Sequence, residues 1–441
     1  MKKHLFFTLL FLLSFYIKTN AQIAIIPKPN GIKYNDGKFS YTKGLDIKII
    51  RGDDVTKRLQ KQLSDFVKGK NITVVPFSAT SLNLNLLQTN TTDIPADGYT
   101  LVVSPATVSI SSSGNAGLFY GMQSLMQLIK TDSSKSLPCL EIKDIPAFSY
   151  RGMHLDVVHH FFGVEIVKQY LDAMAKLKLN QFYWQIADEG KWRIELKNNT
   201  LLTDKESFYT QEQVKEVIKY AQERFINIIP GIRLPMATED SSLQKNILEE
   251  VVALFPSTYI HFGNSIIQTE TEQYLTAKNK KIIGTDNIFS AKEVIMSYKS
   301  SKSGWSIAAK GNDVIMAPRQ SCSLDYYQDW DDEKKSFSMT FLPLDKAYTF
   351  NPIGKIKDSK TQQHILGGQA YVSTEFIKNM DELQYMVFPR IVAFAECVWT
   401  KNANKNFNDF VTRLYIQKNY FFKEKEMPKI DLVRIKPKKE N

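Results

Sequence analysis

Charged and hydrogen-bonding side chains follow several short apolar runs of this sequence. His159, Asp188 and Glu189 follow two such runs, and Asp325 and Glu375 follow two runs nearer the C-terminus. Carboxylates and imidazoles are among the side chains that most often transfer protons, and both groups form hydrogen bonds with polar ligands. The pattern predicts one polar pocket if the fold brings these positions together.

Another apolar run, residues 255–262, ends in a glycine turn that carries no carboxylate. Ser265 and Ile266 stand just after this turn. A serine hydroxyl offers a hydrogen bond without charge, and an isoleucine side chain cannot transfer a proton. The sequence shows no phosphate-binding glycine loop, no Ser-His-Asp set and no metal-ligand spacing, so no metal and no cofactor is expected. The adjacent residues His159 and His160 are not expected to share a metal, because neighbouring strand residues point to opposite faces.

The elements that would position these residues form a repeating pattern. From Tyr150 onward, apolar strand-like runs alternate with amphipathic stretches. Seven strands are predicted, at 153–157, 181–186, 226–232, 259–262, 281–284, 314–317 and 365–370. An eighth is predicted around 388–394, where the pattern also fits a helix. Such units over about 250 residues fit a TIM barrel, whose active sites lie at the carboxyl ends of the strands.

The first part of the chain has a different pattern. It mixes short β-like runs at 45–50, 72–75, 99–103 and 108–111 with helical stretches at 55–68 and 117–130. This mixture indicates a small α+β domain. The predicted fold class is therefore α/β, a (β/α)8 TIM barrel preceded by a small α+β domain. The predicted domains are an N-terminal α+β domain at 22–145, a barrel domain at 146–425 and a basic tail at 426–441.

Residues 1–21 have the features of a secretory signal peptide. Lys2 and Lys3 precede an apolar stretch, and small residues end the segment at Ala21. The apolar stretch is about 13 residues long, shorter than the ~20 that span a bilayer, and no later span is predicted. Gln22, rather than a cysteine, follows the predicted cut, which argues against a lipid anchor. We therefore expect a periplasmic or secreted protein.

The net charge bears on whether the protein binds nucleic acid, and the cysteine content bears on whether it has disulfide bonds. Without the three lysines of the predicted signal, the 57 basic and 46 acidic residues leave a net charge of +8. The densest basic stretch, residues 436–439, lies at the C-terminus, where a solvated tail is expected rather than a nucleic-acid patch. The three cysteines are too few for a disulfide framework, and buried free thiols are favoured over one bridge.

Several segments resemble the family 20 glycoside hydrolases, the β-N-acetylhexosaminidases. Residues 97–129 are similar to the domain that precedes the barrel in that family, and residues 385–399 are similar to its closing helix. Residues 182–193 resemble a His-x-x-Asp-Asp motif followed by Trp-Arg, and 255–267 resemble the strand that leads into His-x-Gly-Gly-Asp-Glu. The resemblance implies a barrel that recognises glycans containing N-acetylhexosamine.

The resemblance also implies that the catalytic pair has been replaced. In the family, the Asp of the last motif polarises the 2-acetamido group of the substrate, and the Glu protonates the leaving oxygen. These positions are Ser265 and Ile266 here. Because general acid–base assistance is worth ~10²–10⁴-fold in rate, ordinary hexosaminidase activity is expected to be lost.

Other positions that touch the sugar in the family differ as well. His159 replaces an Arg, Ser323 a Tyr, and Thr285 and Ser373 each a Trp. Arg233 replaces an Asp that in the family supports the catalytic acid. Asp188 is retained. Asp325 and Glu375 are also retained, and they match carboxylates that hold sugar hydroxyls in the family. The predicted ligand-binding set is Asp325, Glu375, His159, Asp188 and Ser323.

Three functions remain open. The first is a secreted pseudoenzyme that binds a glycan or other small-molecule ligand at the barrel mouth. The second is an active glycosidase whose chemistry has moved to Asp188 or Glu189 as acid, with Glu375, Asp325 or Glu239 as base. The third is an envelope scaffold with a protein partner. The separation between carboxyl groups would distinguish the second function, and sequence does not give distances.

Overall fold

The structure is a computed structural model. It describes residues 23–76, 80–87, 93–131, 134–188, 191–234, 242–263, 268–286, 294–328 and 340–421. The predicted signal peptide and basic tail lie outside the described residues, as do Glu189, Glu239, Ser265 and Ile266.

The N-terminal domain is a six-stranded mixed sheet covered by two helices. The strand order is β1-β6-β4-β5-β3-β2. Its elements are β1 (Gly31–Ser40), β2 (Asp46–Arg51), α1 (Asp54–Lys68), β3 (Ser81–Leu86), β4 (Tyr99–Val103), β5 (Thr107–Ser112), α2 (Asn115–Thr131) and β6 (Ser136–Asp144). Helix α1 begins where Asp53 and Thr56 form a reciprocal capping box. The predicted run at 72–75 contributes one bridge, between Leu45 and Val74, rather than a strand.

The second part is a closed barrel of eight parallel strands, which confirms the predicted TIM barrel. The barrel strands, in order, are β7 (Tyr150–Asp156), β8 (Gln181–Gln185), β11 (Asn227–Gly231), β12 (Tyr259–His261), β13 (Lys281–Thr285), β14 (Val294–Ser297), β15 (Val314–Met316) and β16 (Ile365–Ala370). A two-stranded ribbon, β9 (Ala187–Asp188) and β10 (Lys191–Trp192), follows β8.

Helices connect the strands and cover the barrel. They are α3 (Val164–Lys176), α4 (Gln211–Gln222), α5 (Ser242–Leu254), α6 (Thr269–Ala277), α7 (Ser301–Ala308), α8 (Arg319–Cys322), α9 (Leu344–Tyr348), α10 (Ser359–Gln363), α11 (Met380–Val387), α12 (Arg390–Trp399) and α13 (Phe407–Phe421). Helix α4 shows why such segments are helical: Thr210 caps its start, and Val214, Val217 and Ile218 form one buried face.

The predicted position of the eighth strand was wrong. Residues 388–394 lead into α12, and the missing strand is β14, between the predicted fifth and sixth. All ten residues of α12 are buried, so its sequence lacks the polar face that marks a surface helix. Strand β14 has four residues, all buried, and so carries no periodicity of its own.

Two buried cations join the N-terminal domain to the barrel. Arg151 on β7 and Lys178, just before β8, lie 5.0 and 4.5 Å from the ring of Trp399 in α12. Lys178 Nζ lies 3.6 Å from the Asp144 carboxylate at the end of β6. Trp399 Nε1 donates to the same carboxylate at 3.0 Å. The junction therefore combines cation–π contacts with an ion pair, all of it buried.

A second buried network ties residues near the start of the described chain to its last helix. Arg413 of α13 donates from two nitrogens to the Glu396 carboxylate of α12, each at 2.8 Å, and also donates to the Ile25 carbonyl. Gln417, one turn later, donates to the Ala24 carbonyl. Bidentate pairs of this kind fix geometry as well as charge.

Two further sequence expectations concern thiols and membranes. Cys139, Cys322 and Cys397 are buried and free, as predicted. Among the described residues, no helix is both long and apolar enough to cross a bilayer.

Closure of the barrel depends on Gly367 in β16. Its φ is +147°, and a Cβ placed there would lie 1.9 Å from the Tyr150 carbonyl oxygen of the paired strand. We expect Gly367→Ala to lower the free energy of unfolding by at least about 2 kcal/mol, because strain and a backbone clash add. Equilibrium urea unfolding measures this change.

Gly163 provides the matched control. It precedes α3 with φ −65°. A Cβ placed there would have no heavy atom within 4 Å, apart from those of Gly163 and its two neighbours in the chain. Gly163→Ala should change the free energy of unfolding by less than about 1 kcal/mol. Equal effects of the two substitutions would show that closure does not require glycine at 367.

Candidate functional site

A cavity of about 660 Å³ opens at the carboxyl ends of the barrel strands. Every one of the eight strand ends contributes to its wall. The lining residues are His154, Asp156, His159, Tyr183, Gln185, Ala187, Asp188, Gly231, Ile232, Arg233, His261, Gly263, Thr285, Asp286, Tyr298, Lys299, Arg319, Ser323, Asp325, Tyr326, Tyr371 and Ser373. This is where active sites lie in TIM barrels.

His159 is held by a buried carboxylate. Its Nδ1 lies 2.5 Å from Asp156 Oδ2, and the other Asp156 oxygen accepts hydrogen bonds from the backbone N–H groups of Val158 and His159. The hydrogen bond that His159 donates to the Asp156 carboxylate raises the pKa of His159 above its ordinary value. Burial favours neutral Asp156, but His159, His154 and the Thr374 N–H together outweigh it and lower the pKa of that carboxyl. The pair therefore favours the charged form of the imidazole at the pocket wall.

Three aromatic rings in contact form the floor of the pocket, with Tyr183 stacked on His261 and tilted against His154. The Tyr183 ring centroid lies 4.5 Å from that of His154 and 4.3 Å from that of His261. Burial, followed by the neighbouring His154, lowers the pKa of His261 to about 3. His261 Nδ1 accepts the Gly263 N–H at 2.9 Å, so the neutral ring carries its proton on Nε2. The floor is thus aromatic and uncharged.

Asp188 is engaged in an ion pair across the pocket wall. Arg233 Nη1 lies 2.9 Å from Asp188 Oδ1, and both side chains are about one-third exposed. This pair joins the end of β8 to the end of β11. The guanidinium therefore directs one oxygen of Asp188 away from a ligand, and Asp188 in turn orients Arg233.

Asp325 is the most deeply buried carboxyl group of the pocket wall apart from Asp156. It is 5% exposed and accepts a hydrogen bond from Ser323 Oγ at 2.5 Å. Burial raises the pKa of Asp325, although the Ser323 hydroxyl opposes the shift. Asp325 thus combines access to the cavity with a weakened preference for charge.

Asp286 has a structural role at the mouth. Its carboxylate accepts hydrogen bonds from the Ser297 and Ser303 hydroxyls at 3.0 and 3.2 Å and from the Lys299 N–H at 3.0 Å. These bonds fix the turn between β14 and α7. This segment positions Tyr298, whose ring lies edge-on to that of Tyr371, with 5.2 Å between the ring centroids.

The structure brings together most of the residues proposed from sequence. His159, Asp188, Ser323 and Asp325 all line the cavity. Glu375 is exposed and lies outside the cavity lining, although its charge contributes to the raised pKa of His159. Its part in binding remains a prediction.

Sequence reasoning missed several pocket residues. Asp156 and His261 lie within strands, where a polar residue between apolar neighbours was the available signal. Tyr183 was treated as part of a strand, and Tyr298 follows the strand that was missed. Counting eight strands rather than seven before α12 would have found Tyr298.

The pocket residues suit hydrogen bonding to a polar ligand better than metal binding. In the part of the chain that the structure describes, no group of three His, Cys, Asp or Glu side chains is placed to hold a metal ion. The walls instead alternate carboxylates and cations with tyrosine rings. A concave site with apolar surfaces and a few oriented polar groups is the usual form of a small-molecule site.

A polar cavity at the carboxyl ends of the strands of a TIM barrel is the position at which enzymes of this fold have their active sites. The chain matches the model for "Glycosyl hydrolase family 20, catalytic domain" over residues 148–241 and 265–402. Residues 22–145 match the model for "Glycosyl hydrolase family 20, domain 2". The chain therefore belongs to glycosyl hydrolase family 20.

Similar proteins include two bacterial enzymes called beta-hexosaminidase. The Porphyromonas gingivalis protein is 31% identical, in an alignment that covers 72% of this chain and 52% of that protein. The Vibrio furnissii protein is 28% identical, in an alignment that covers 85% of this chain and 76% of the relative. The chain thus spans about half the length of the first relative.

Solved structures give the same fold. A family 20 exo beta-N-acetylglucosaminidase from Vibrio harveyi, in complex with N-acetylglucosamine, aligns with a TM-score of 0.78 at 26% identity, covering 90% of this chain and 76% of that one. A beta-N-acetylhexosaminidase from Streptomyces coelicolor aligns with a TM-score of 0.79 at 21% identity, covering 92% and 98%. At that identity the second likeness concerns the fold alone.

The pKa values of His159 and His261 should be shifted in opposite directions from the ordinary value of histidine. His159 should show a pKa above 6.5, because Asp156 stabilises its charged form, whereas His261 should stay neutral until the pH falls to about 3. Side-chain NMR of ¹³C-labelled histidine, assigned with His159→Gln, measures both values. By linkage, the stability contributed by His159 is complete below pH 6.5 and is lost as the pH rises through the folded pKa. A His159 pKa below 6.5 would contradict the pairing.

Proposed function

We propose that this protein binds a glycan at the barrel mouth and does not hydrolyse N-acetylhexosaminides. The observation that carries the proposal is a polar cavity at the carboxyl ends of the barrel strands. The sequence resemblance supports the loss of catalysis, because it matches Ser265 and Ile266 to the catalytic pair of the family. We further propose that residues 1–21 direct the chain to the periplasm or outside the cell.

The composition of the pocket supports a sugar as ligand. Asp188, Asp325 and His159 present acceptors and a donor at different sides of the cavity. Tyr183, Tyr298 and Tyr371 supply aromatic surfaces between them, and the apolar face of a sugar ring can lie against such a surface. A sugar matches this alternation because it carries hydroxyl groups around a ring with apolar faces.

The partners of the pocket carboxylates argue against ordinary glycoside hydrolysis. That reaction requires two carboxyl groups, or one and a substrate group, on opposite sides of the bond that breaks. Among the described residues, Asp156 is bonded to His159, Asp188 to Arg233, and Asp286 to two serine hydroxyls. Each of these carboxylates stabilises a neighbour instead of facing a second carboxyl group.

A hydrolysis assay tests the loss of catalysis. With chromogenic N-acetylglucosaminides and N-acetylgalactosaminides, we expect the wild type to release no more product than Asp325→Asn or Asp188→Asn. The reason is that an enzyme using either group as acid or base would lose ~10²–10⁴-fold in rate on its removal. Glu189→Gln is assayed beside them, since the sequence also suggests Glu189 as an acid.

One observation favours the alternative of an active glycosidase. Asp325 is a buried carboxyl group with a raised pKa at the pocket wall, which is the condition that a general acid needs. Turnover by the wild type that falls at least ~100-fold in Asp325→Asn would establish this alternative. It would also disprove the proposed loss of catalysis.

Binding provides the positive test of the proposed function. Isothermal titration with N-acetylglucosamine and chitobiose should detect binding, and Asp325→Asn should weaken it at least tenfold, because a buried hydrogen-bonding group left without its partner costs about 1–3 kcal/mol. Asp313→Asn is the matched control. Asp313 lies just before β15, at the opposite end of the strand that leads to Asp325, and bonds to His364. No binding of any sugar at millimolar concentration would contradict the glycan function.

A further inference from the structure

A groove of about 170 Å³ lies between helices α3 and α11 on the outside of the barrel, and it shares no lining residue with the cavity at the mouth. Its apolar lining comes from both helices: Tyr170 and Ala173 on α3, and Met380, Leu383 and Val387 on α11. Within each helix these residues are three or four positions apart, so each set lies along one helical face. The groove therefore has an apolar wall on each side.

The size of the groove suits aliphatic side chains. The residues of α3 that line it span positions 169–176, which corresponds to about 10 Å along the helix axis. Gln169 and Gln384 add neutral polar groups to its walls. The volume is close to the ~150 Å³ of a cavity that accepts a benzene molecule. A bound segment would therefore fill the groove with roughly one or two branched aliphatic side chains.

The charged groups at the groove have partners within the fold. Asp172 bonds to Arg224 at 2.6 Å and accepts a hydrogen bond from the Tyr220 hydroxyl. The Lys176 ammonium lies 5.6 Å from the centre of the Tyr420 ring, on the helix that ends beside the groove. Because these charges are engaged, the groove suits an apolar occupant better than a charged one.

The described part of the chain ends at this groove. Helix α13 ends at Phe421, whose side chain is one of the lining residues. The Tyr420 ring lies edge-on to that of Phe421, with 5.2 Å between the ring centroids. Residues 422–441 lie outside the described residues, and they continue from this point. The residues that follow α13 therefore start at the wall of the groove.

The sequence after α13 contains a short apolar run between charged residues. Residues 427–435 include Met427, Ile430, Leu432, Val433 and Ile435, whereas every residue of 423–426 and 438–440 is lysine or glutamate. Transfer of such aliphatic side chains from water to an apolar surface is favourable. A cluster of them bounded by charge therefore indicates a segment that packs against a partner surface.

This run is able to reach the whole groove. The linker 422–426 spans up to about 17 Å when extended, which exceeds the length of the groove. A segment attached by a short linker meets a neighbouring site at an effective concentration of about 1 mM, so weak contacts suffice to hold it. The attachment favours the segment of the same chain over a second copy as the occupant.

We propose that residues 427–435 occupy the groove between α3 and α11, with aliphatic side chains of the run placed against Ala173, Leu383 and Phe421. The lysines at 436, 438 and 439 would then remain in solvent beyond the groove. This surface is separate from the proposed glycan site, and the proposal requires no ligand.

Such docking would stabilise one side of the barrel mouth. Helix α3 follows the turn that carries His159, and α11 follows the turn that carries Ser373. The two turns are already joined, because the His160 N–H donates to Thr374 Oγ1 at 3.1 Å and the Thr374 N–H donates to Asp156 Oδ2 at 3.2 Å. A segment between the two helices would limit their relative movement and so the movement of both turns.

Photo-cross-linking on the full mature chain tests the occupant. With p-benzoylphenylalanine in place of Leu432, we expect cross-links from the C-terminal peptide to peptides of α3 or α11, because a benzophenone reacts with groups that it contacts. The same probe in place of Lys438 is the matched control and should give a much lower yield. A mixture of ¹⁵N-labelled and unlabelled protein shows whether each cross-link lies within one chain.

Hydrogen exchange gives a second measurement. Serine substitutions in the apolar run should raise amide exchange in α3 and α11 at least roughly threefold, because the walls of the groove lose their cover. The substitutions, made together, are Ile430→Ser, Leu432→Ser, Val433→Ser and Ile435→Ser. The matched control replaces the lysines at 436, 438 and 439 by serine, which keeps the apolar run, and should leave the exchange unchanged.

Each outcome decides the proposal. Cross-links to α3 or α11 within one chain, with faster exchange in the apolar variant alone, would support it. Cross-links that join two chains would assign the segment to a second copy and overturn it. Cross-links to other surfaces, or equal exchange in the two variants, would overturn it as well. None of these results depends on whether the mouth binds a glycan.

Discussion

The structure depends on the burial of two positive charges against one indole ring. Lys178 and Arg151 are both fully buried beside Trp399, and burial lowers the pKa of Lys178 to about 8 in spite of Asp144. Such charges are tolerated only with compensating partners, and these come from three separate parts of the chain. The small domain, the first barrel strands and the last barrel helix must therefore assemble together, and this junction sets where the strand ends point.

The barrel mouth is much less constrained than this junction. Its polar residues lie at or just beyond the strand ends and are held by short local contacts, such as Asp156 with His159 and Asp286 with its serine hydroxyls. Replacing one such group alters the pocket without disturbing strand pairing. The fold can therefore persist while its chemistry changes, and function has to be judged from the mouth rather than from the barrel.

Elements in which buried and exposed positions alternate could be predicted from the amino-acid sequence, whereas elements buried on every side were hard to assign as helix or strand. The strand at 99–103 was predicted with its observed bounds because exposed and buried positions alternate there. Helix α12 and strand β14 are buried on every side, so neither has the periodicity that separates helix from strand. In the pocket, residues beyond the strand ends could be predicted from sequence, whereas for Asp156 and His261 the sequence offers only a polar residue between apolar neighbours, and their contacts with His159 and Tyr183 require the three-dimensional structure.

The network of Arg413 and Glu396 has a mechanical consequence. It fastens the backbone at Ala24 and Ile25 to α13, close to the other limit of the described chain. A pulling force applied between these two regions would act first on the hydrogen bonds that Arg413 and Gln417 make. The barrel strands would bear the force only after those hydrogen bonds had broken. A force applied at either end of the described chain would therefore deform the pocket only after these hydrogen bonds had broken.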